Sequence, residues 1–285
     1  MVIENIKSKL LLLNQFGFSS HLLENIYLGN DDPIEVIYNS NSILHYKYQD
    51  FYTPKDTKIS HKYLDLLVFS KKFKYKFNSY LELNFKIFFK YDNTVITDLI
   101  SQDNMPLFLY SVGNLDLLKE KSRIAIIGTR KPNDISVDKA KKYTKEYIQQ
   151  GYITISGLAE GIDTVVHEET IINKGKTIAV IATNFDNIYP KKNLGLYHKI
   201  LATGLILTPI GPFENTYKST FLERNRYVAS ISTEVLVIET NLKSGTLNTV
   251  RNAYELSKKV SYVSQKNKEI EDMLIRFSGV KIEED

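Results

Sequence analysis

Four short stretches hold the residues whose types and spacing could do chemistry: Gly128-Thr129-Arg130, Ser156 to Gly161 with Asp163 behind it, Arg224-Asn225-Arg226, and Lys243-Ser244-Gly245-Thr246. The chemistry they share is anion binding. In Ser156-Gly157-Leu158-Ala159-Glu160-Gly161, successive backbone N–H groups can turn inward just ahead of a helix start, where aligned peptide dipoles favour negative charge. Gly157 and Gly161 permit close backbone approach, and Arg130 can offer a phosphate a two-pronged guanidinium fork. Each loop alone reads as a tight turn; two of them at neighbouring strand ends shift the reading toward a ligand site. Arg224 and Arg226 are two apart, so on a helix they diverge by about 200 degrees and one of them enters a crevice. The competing reading is a structural ion pair with Glu223, Glu239 or Asp163, because buried arginines are usually paired. Lys243 to Thr246 leads into a helix where the Ser and Thr hydroxyls could equally cap the helix or bind phosphate.

Other chemistries lack their residues. There is no Cys, so disulfides, thiolate metal sites and cysteine nucleophiles are absent together. The five His are scattered, with no pair four residues apart to make a helical metal site. The G-x-G-x-x-G fingerprint and the G-x-x-x-x-G-K-[ST] loop do not occur, which leaves an ordinary dehydrogenase or P-loop NTPase unsupported. Lys plus Arg number 37 against 33 Asp plus Glu, a net +4, so any anion site must be a local concentration of charge.

The elements that must position these residues alternate. Ile124 to Ile127 is an apolar β-branched run ending at Gly128, as a buried parallel strand ends. From Ser136 an apolar stripe at helical spacing (Val137, Ala140, Tyr143, Tyr147, Ile148) closes on Gln150-Gly151, and a strand over 152–155 follows. Further strands are expected at 177–181, 205–207, 235–238 and 260–263, with helices at 162–174, 194–202, FLERNRYVASIS and 247–257 between them. Two apolar runs, 85–89 and 106–110, read as strands that precede them. Such alternation implies an α/β fold with a mostly parallel sheet covered on both faces. Ligands of these sheets bind in the crevice at the carboxyl ends of the strands.

Residues 1–84 read as a small helical amino-terminal domain and 85–285 as the α/β domain. Within the first, Leu66 or Leu67, Phe69, Phe73, Phe77, Tyr80 and Leu81 keep helical spacing. FSKKFKYKF could be a strip of rings and ammonium groups for nucleic acid; the segregation of its lysines from its rings favours an amphipathic helix. Lys7 and Lys9 precede a leucine run too short to span a bilayer, so a cytoplasmic protein with no membrane partner is expected. The tail KIEED is expected to fray.

IAIIGTR, SGLAEGID, the FDNIYPKKN loop, FLERNR and KSGTLNTVR follow one another in the order and spacing of the DNA-processing protein A family, DprA/Smf, which the chain resembles over roughly residues 85 to 264. DLISQDNMPLFLYSVGNLDLL resembles that family's entry into its α/β domain. The resemblance implies an extended Rossmann-like domain that binds single-stranded DNA as a homodimer. It also implies that the protein protects incoming strands and loads the RecA recombinase on them during DNA uptake and natural transformation. Carried over by position, the pocket falls on Gly128, Thr129, Arg130, Ser156, Gly157, Gly161, Asp163, Arg224, Asn225, Arg226, Ser244, Gly245 and Thr246, beside Lys243. No catalytic residue, cofactor or metal is implied. Glu160 stands where the family has a basic residue and Leu222 where it has proline; the stretch after the last strand is shortened to SYVSQKNKEIEDML, and no winged-helix extension is expected. The alternative within the same superfamily is a nucleotide sensor or a nucleotide N-glycosidase. Such a hydrolase needs a carboxylate just after Gly-Thr, where this chain has Leu247, Asn248 and Thr249, which leaves Asp163, Asp186 and Glu239 at strand ends as the acids that could serve instead.

Overall fold

The computed structural model describes residues 4–80 and 83–283. In chain order its strands are β1 (Lys86–Phe89), β2 (Phe108–Gly113), β3 (Arg123–Ile127), β4 (Ile153–Ser156), β5 (Thr177–Val180), β6 (Leu205–Thr208), β7 (Glu234–Val237), β8 (Lys259–Tyr262) and β9 (Gly279–Lys281). Among the described residues they form one nine-stranded sheet in the order β1-β2-β6-β5-β4-β3-β7-β8-β9. All pairings from β6 to β9 are parallel, while β2 pairs antiparallel with both β6 and β1. The chain winds from β3 out to β6 and then returns to the other side of β3 as β7. Strand order therefore reverses at β3, which opens a crevice beside the loops that leave β3, β4 and β7.

Among the described residues seven α-helices precede β3: α1 (Ile6–Phe16), α2 (Ser20–Leu28), α3 (Pro33–Tyr38), α4 (Ile43–Lys47), α5 (Pro54–Ser60), α6 (Tyr63–Ser79) and α7 (Val95–Leu99). After β3 come α8 (Asp134–Gln149), α9 (Ile162–Ile172), α10 (Leu194–Thr203), α11 (Lys218–Ile231), α12 (Gly245–Glu255) and α13 (Lys268–Arg276). The two-residue period of β3 separates the faces. Ile124 and Ile126 pack with residues of α8 and α9 such as Ala140, Tyr143 and Val166, whereas Ala125 and Ile127 join the layer containing Tyr227, Val228, Val250 and Ala253 from α11 and α12. Both faces of a parallel strand being covered explains why these strands are nearly continuous apolar runs.

The helices before β1 share an apolar core with the sheet: Leu10, Leu22, Phe73 and Phe77 cluster with Phe85, Tyr110, Val112 and Ile206. The boundary proposed near residue 84 thus divides two kinds of secondary structure that meet in one core. In α6 the inward positions are Leu66, Phe73, Phe77 and, just past its end, Tyr80, with Phe69 half-buried. Leu81 lies outside the described residues. Leu67 is exposed, as are Leu64, Val68 and Tyr75, so the outer face mixes apolar side chains with its lysines.

Two differences from the expected elements lie near the carboxyl end. Lys268–Arg276 is a helix and Gly279–Lys281 a parallel edge strand on β8, neither of them expected; the strand takes in Lys281, the first residue of the tail expected to fray, whose last two residues lie outside the described ones. Asn267 caps α13 through Glu269 N–H at 2.8 Å, and Lys281 pairs with Glu271 at 3.1 Å. The expected helix over FLERNRYVASIS is α11, which takes in that segment up to Ile231 and starts at Lys218.

Gln15 joins α1 to the loop between β6 and α11. Its Nε2 donates to Tyr110 Oη at 3.1 Å and to Glu214 Oε1, and its Oε1 accepts from Phe213 N–H at 3.1 Å. Burial pushes the Glu214 carboxyl up to about 7, against the opposing pull of Gln15, the Gly211 main chain and Lys55. The folded state therefore keeps a proton that the unfolded chain releases, and stability should fall as pH rises from about 4.5 to 7. Glu214→Gln is expected to flatten that slope and to raise stability at pH 8 by on the order of 1–2 kcal/mol, with partial exposure discounting the full shift. Urea melts at pH 5 and pH 8 measure it; an unchanged slope in the variant would show that Glu214 titrates normally.

Candidate functional site

The crevice is an open cleft of about 1160 Å³. Its wall from β3 is Gly128, Thr129, Arg130 and Lys131; from β4, Gly157, Ala159 and Asp163; from α11, Phe221, Arg224 and Asn225; and from the loop after β7, Lys243, Ser244, Gly245 and Thr246. Three loops far apart in sequence are tied together at its base. Thr129 N–H donates to Glu239 O at 2.7 Å, Ile162 N–H to Thr129 O at 3.2 Å, and Thr246 Oγ1 to Gly128 O at 3.0 Å. Asn225 Nδ2 donates to Gly245 O at 3.0 Å and so anchors the start of α12 to α11.

Asp163 and Arg224 define the floor. Asp163 is buried, and its Oδ2 accepts from Gly157 N–H at 3.1 Å and from Ala159 N–H at 3.3 Å. These are amides that the sequence offered to an external anion. The chain's own carboxylate fills that cradle, so the loop after β4 is a pre-occupied turn and its expected role as a free amide nest is corrected. Burial pushes the Asp163 carboxyl up, while the charge of Arg224 and the bonds from Ala159, Ser156 and Gly157 pull it down. Arg224 is buried too; its Nη1 donates to Gly157 O and to Val180 O (2.6 Å), and its Nε to Asn225 Oδ1 at 3.1 Å. Nη2 bonds nothing among the described residues, and Arg224 lines the cleft. The expected alternatives thus resolve into a third arrangement, a buried guanidinium held by main-chain carbonyls and balanced at longer range by Asp163.

The other sequence-derived positions divide. Ser156 is fully buried and donates to Ile126 O at 2.9 Å, and Gly161 supports the Thr129-Arg130 backbone; neither is among the cleft's lining residues. Arg226 is corrected outright: it is exposed outside the cleft, with Nη1 donating to Asn104 Oδ1 at 3.1 Å. Helix phase decides the pair, since Tyr227, Val228 and Ile231 face the core and carry Arg224 inward with them.

Sequence reasoning missed Lys131, Lys191, Lys218, Tyr189 and Phe221, all of which line the cleft. Arg130, Lys131, Lys191, Lys218 and Lys243 form no ion pair with any described carboxylate. At the start of α12, Ser244 caps no amide and bonds Thr240 Oγ1 instead at 2.5 Å, so the positive end of the helix dipole stays open to the cleft. The Arg130 guanidinium lies 5.8 Å from the Phe221 ring centre, and Tyr189 meets that ring edge-on at 5.6 Å. Among the described residues no group of three or more His, Asp or Glu is placed to hold a metal ion, and no helix is long and apolar enough to cross a membrane.

A mostly parallel sheet with a cation-rimmed cleft where strand order reverses defines a Rossmann-like binding protein. Residues 86–273 match the family model for DNA recombination-mediator protein A, and the chain belongs to that family. It is 36% identical over 155 residues to DNA processing protein DprA of Bacillus subtilis, covering 54% of this chain and 52% of that protein. With DprA of Streptococcus pneumoniae the identity is 38% over 158 residues, 55% of each chain. The chain thus spans about half the length of these curated relatives. The crystal structure of S. pneumoniae DprA superposes with a TM-score of 0.75 at 26% identity, over 98% of this chain and 95% of that one. A Helicobacter pylori DNA processing protein A structure, described for its single-stranded DNA binding mode, gives 0.62 at 27% identity over 70% and 91%.

Proposed function

We propose that the cleft binds single-stranded DNA, chiefly through its phosphates, and that the protein acts as a recombination mediator without turning the strand over. The observation that carries this reading is the set of five cations around the cleft with no carboxylate partner among the described residues, beside an open helix amino end. Unpaired cations converging on one groove need a polyanion, and a strand supplies one phosphate after another. Tyr189, 55% exposed at the cleft, gives unpaired bases a ring to stack on, which a duplex with its bases already stacked cannot use. Membership in a DNA recombination-mediator family supports delivery of the strand to the RecA recombinase during DNA uptake, by a homodimer. Two of the groups a hydrolase would use are not free for it: Asp163 is committed to its own loop, and Leu247, Asn248 and Thr249 follow Gly245-Thr246, which leaves Glu239 as the carboxylate lining the cleft, with its Oε2 accepting from Asn133 N–H at 3.3 Å.

Affinity for a single-stranded oligonucleotide, its duplex and a mononucleotide, each measured at two salt concentrations, tests the reading. If all five cations contact phosphate, the log-log salt slope for the single strand is expected near −3 to −4, at about 0.7 per contact. Arg130→Ala should flatten it by about 0.7 with little change in melting temperature, because Arg130 is solvent-exposed. Tighter binding of the mononucleotide or the duplex, or an unchanged slope in the variant, would replace this reading with that of a nucleotide sensor or a non-specific basic surface.

A further inference from the structure

A smaller recess of about 90 Å³ adjoins the cleft and shares Arg130, Phe221 and Arg224 with it. Tyr189, Pro190 and Glu160 complete the part that matters here. The recess is chemically mixed, with ring surface and a carboxylate close together beneath a cationic rim. Tyr189 is braced edge-on by Phe221. The Glu160 side chain is 42% exposed, and its Oε1 lies 3.2 Å from Lys192 Nζ. No described residue donates a hydrogen bond to Oε2. An exposed ion pair of this kind is weak and screened by salt, so Lys192 does not close the carboxylate to a ligand.

We propose that this recess reads the edge of one nucleobase of the bound strand, and that Glu160 selects bases carrying an amino donor, guanine above all, against thymine. The proposal rests on the reading of the cleft as a single-stranded DNA site. The recess is too small for a whole purine, so the base ring lies over Tyr189 in the open cleft and only its edge enters. An ionised carboxylate accepts hydrogen bonds and donates none. Guanine presents two adjacent donors, N1–H and the N2 amino group. Cytosine and adenine present one amino group each. The single N3–H of thymine is flanked by two carbonyl oxygens, which would face the carboxylate and repel it. A base-reading carboxylate among phosphate-binding cations also explains why Glu160 is tolerated at this rim: it lowers affinity for every strand a little and returns part of it to those with the right base.

Binding of an oligo(dT) strand is to be compared with that of the same strand carrying isolated guanines, or inosines, which lack the amino group. The native protein is expected to bind the guanine strand about fivefold tighter than oligo(dT), with inosine between. Glu160→Ala should bring the ratio to about one while oligo(dT) binding holds or improves. Lys192→Ala, which alters local charge but leaves the acceptor, should keep the ratio. Equal binding of the two strands by the native protein, or a ratio that survives Glu160→Ala, would overturn the proposal and leave the cleft reading intact. No measurable binding of any strand would overturn both.

Discussion

Arg224→Ala should lower folding stability by on the order of 3 kcal/mol, because the guanidinium donates to two main-chain carbonyls and its charge offsets a buried carboxylate. Gly157 O and Val180 O lose their side-chain partner, and Asp163 loses the positive charge that offsets its burial. With that attraction gone the Asp163 carboxyl rises further, so the folded state holds its proton to higher pH. The variant should then lose additional stability as pH rises from the ordinary carboxylate range through the new folded value. Asp163→Asn placed on top should recover part of the loss at pH 8, since it removes the stranded charge, and the two changes should be non-additive. Thermal melts of the native protein, both single variants and the double variant at pH 6 and pH 8 complete the cycle. An Arg224→Ala protein that melts like the native one but no longer binds DNA would show that Arg224 serves the ligand and not the fold.

The same pair shows what could be read from the chain and what could not. The spacing of Arg224 and Arg226 required them to diverge, and the runs at residues 124–127 and 152–155, each followed within two residues by glycine, placed the loops at strand ends. That Asp163 turns back onto Gly157 and Ala159 leaves no mark in the sequence, because a carboxylate two residues past a glycine is as easily a helix-dipole partner as a loop cap. Lys131, Lys191 and Lys218 lie far from one another in sequence and become a group only when three loops converge. Of the missed elements, α13 was within reach, since Ile270, Met273, Leu274 and Phe277 keep a helical stripe behind Asn267. For β9, a three-residue strand with one large apolar side chain, Val280, local pattern carries too little signal, and pairing with β8 decides it.

Gly161→Ala is expected to be worse than an ordinary glycine substitution, since two separate penalties meet there. The backbone sits at φ 77°, ψ −127°, a region that L side chains avoid. A Cβ would also run into Thr129 O and come within 2.7 Å of the Arg130 carbonyl carbon. Those atoms are main chain and can yield only if the loop after β3 moves, which would break the Ile162 N–H bond to Thr129 O and displace Arg130 from the cleft. The expected loss is more than about 3 kcal/mol, well above the strain of a positive φ alone. Gly151 supplies the comparison, because it has φ 82° but nothing within 4 Å of the added carbon. Gly151→Ala should therefore cost only about 1–2 kcal/mol and leave the salt slope of DNA binding unchanged. Gly245→Ala, whose new carbon meets only Asn225 Nδ2 at 3.5 Å, should hardly affect the melt. Melting the three variants side by side orders them as 161, then 151, then 245. Equal losses at 161 and 151 would mean that the loop after β3 gives way easily, and that Arg130 is not held at the cleft by the backbone behind it.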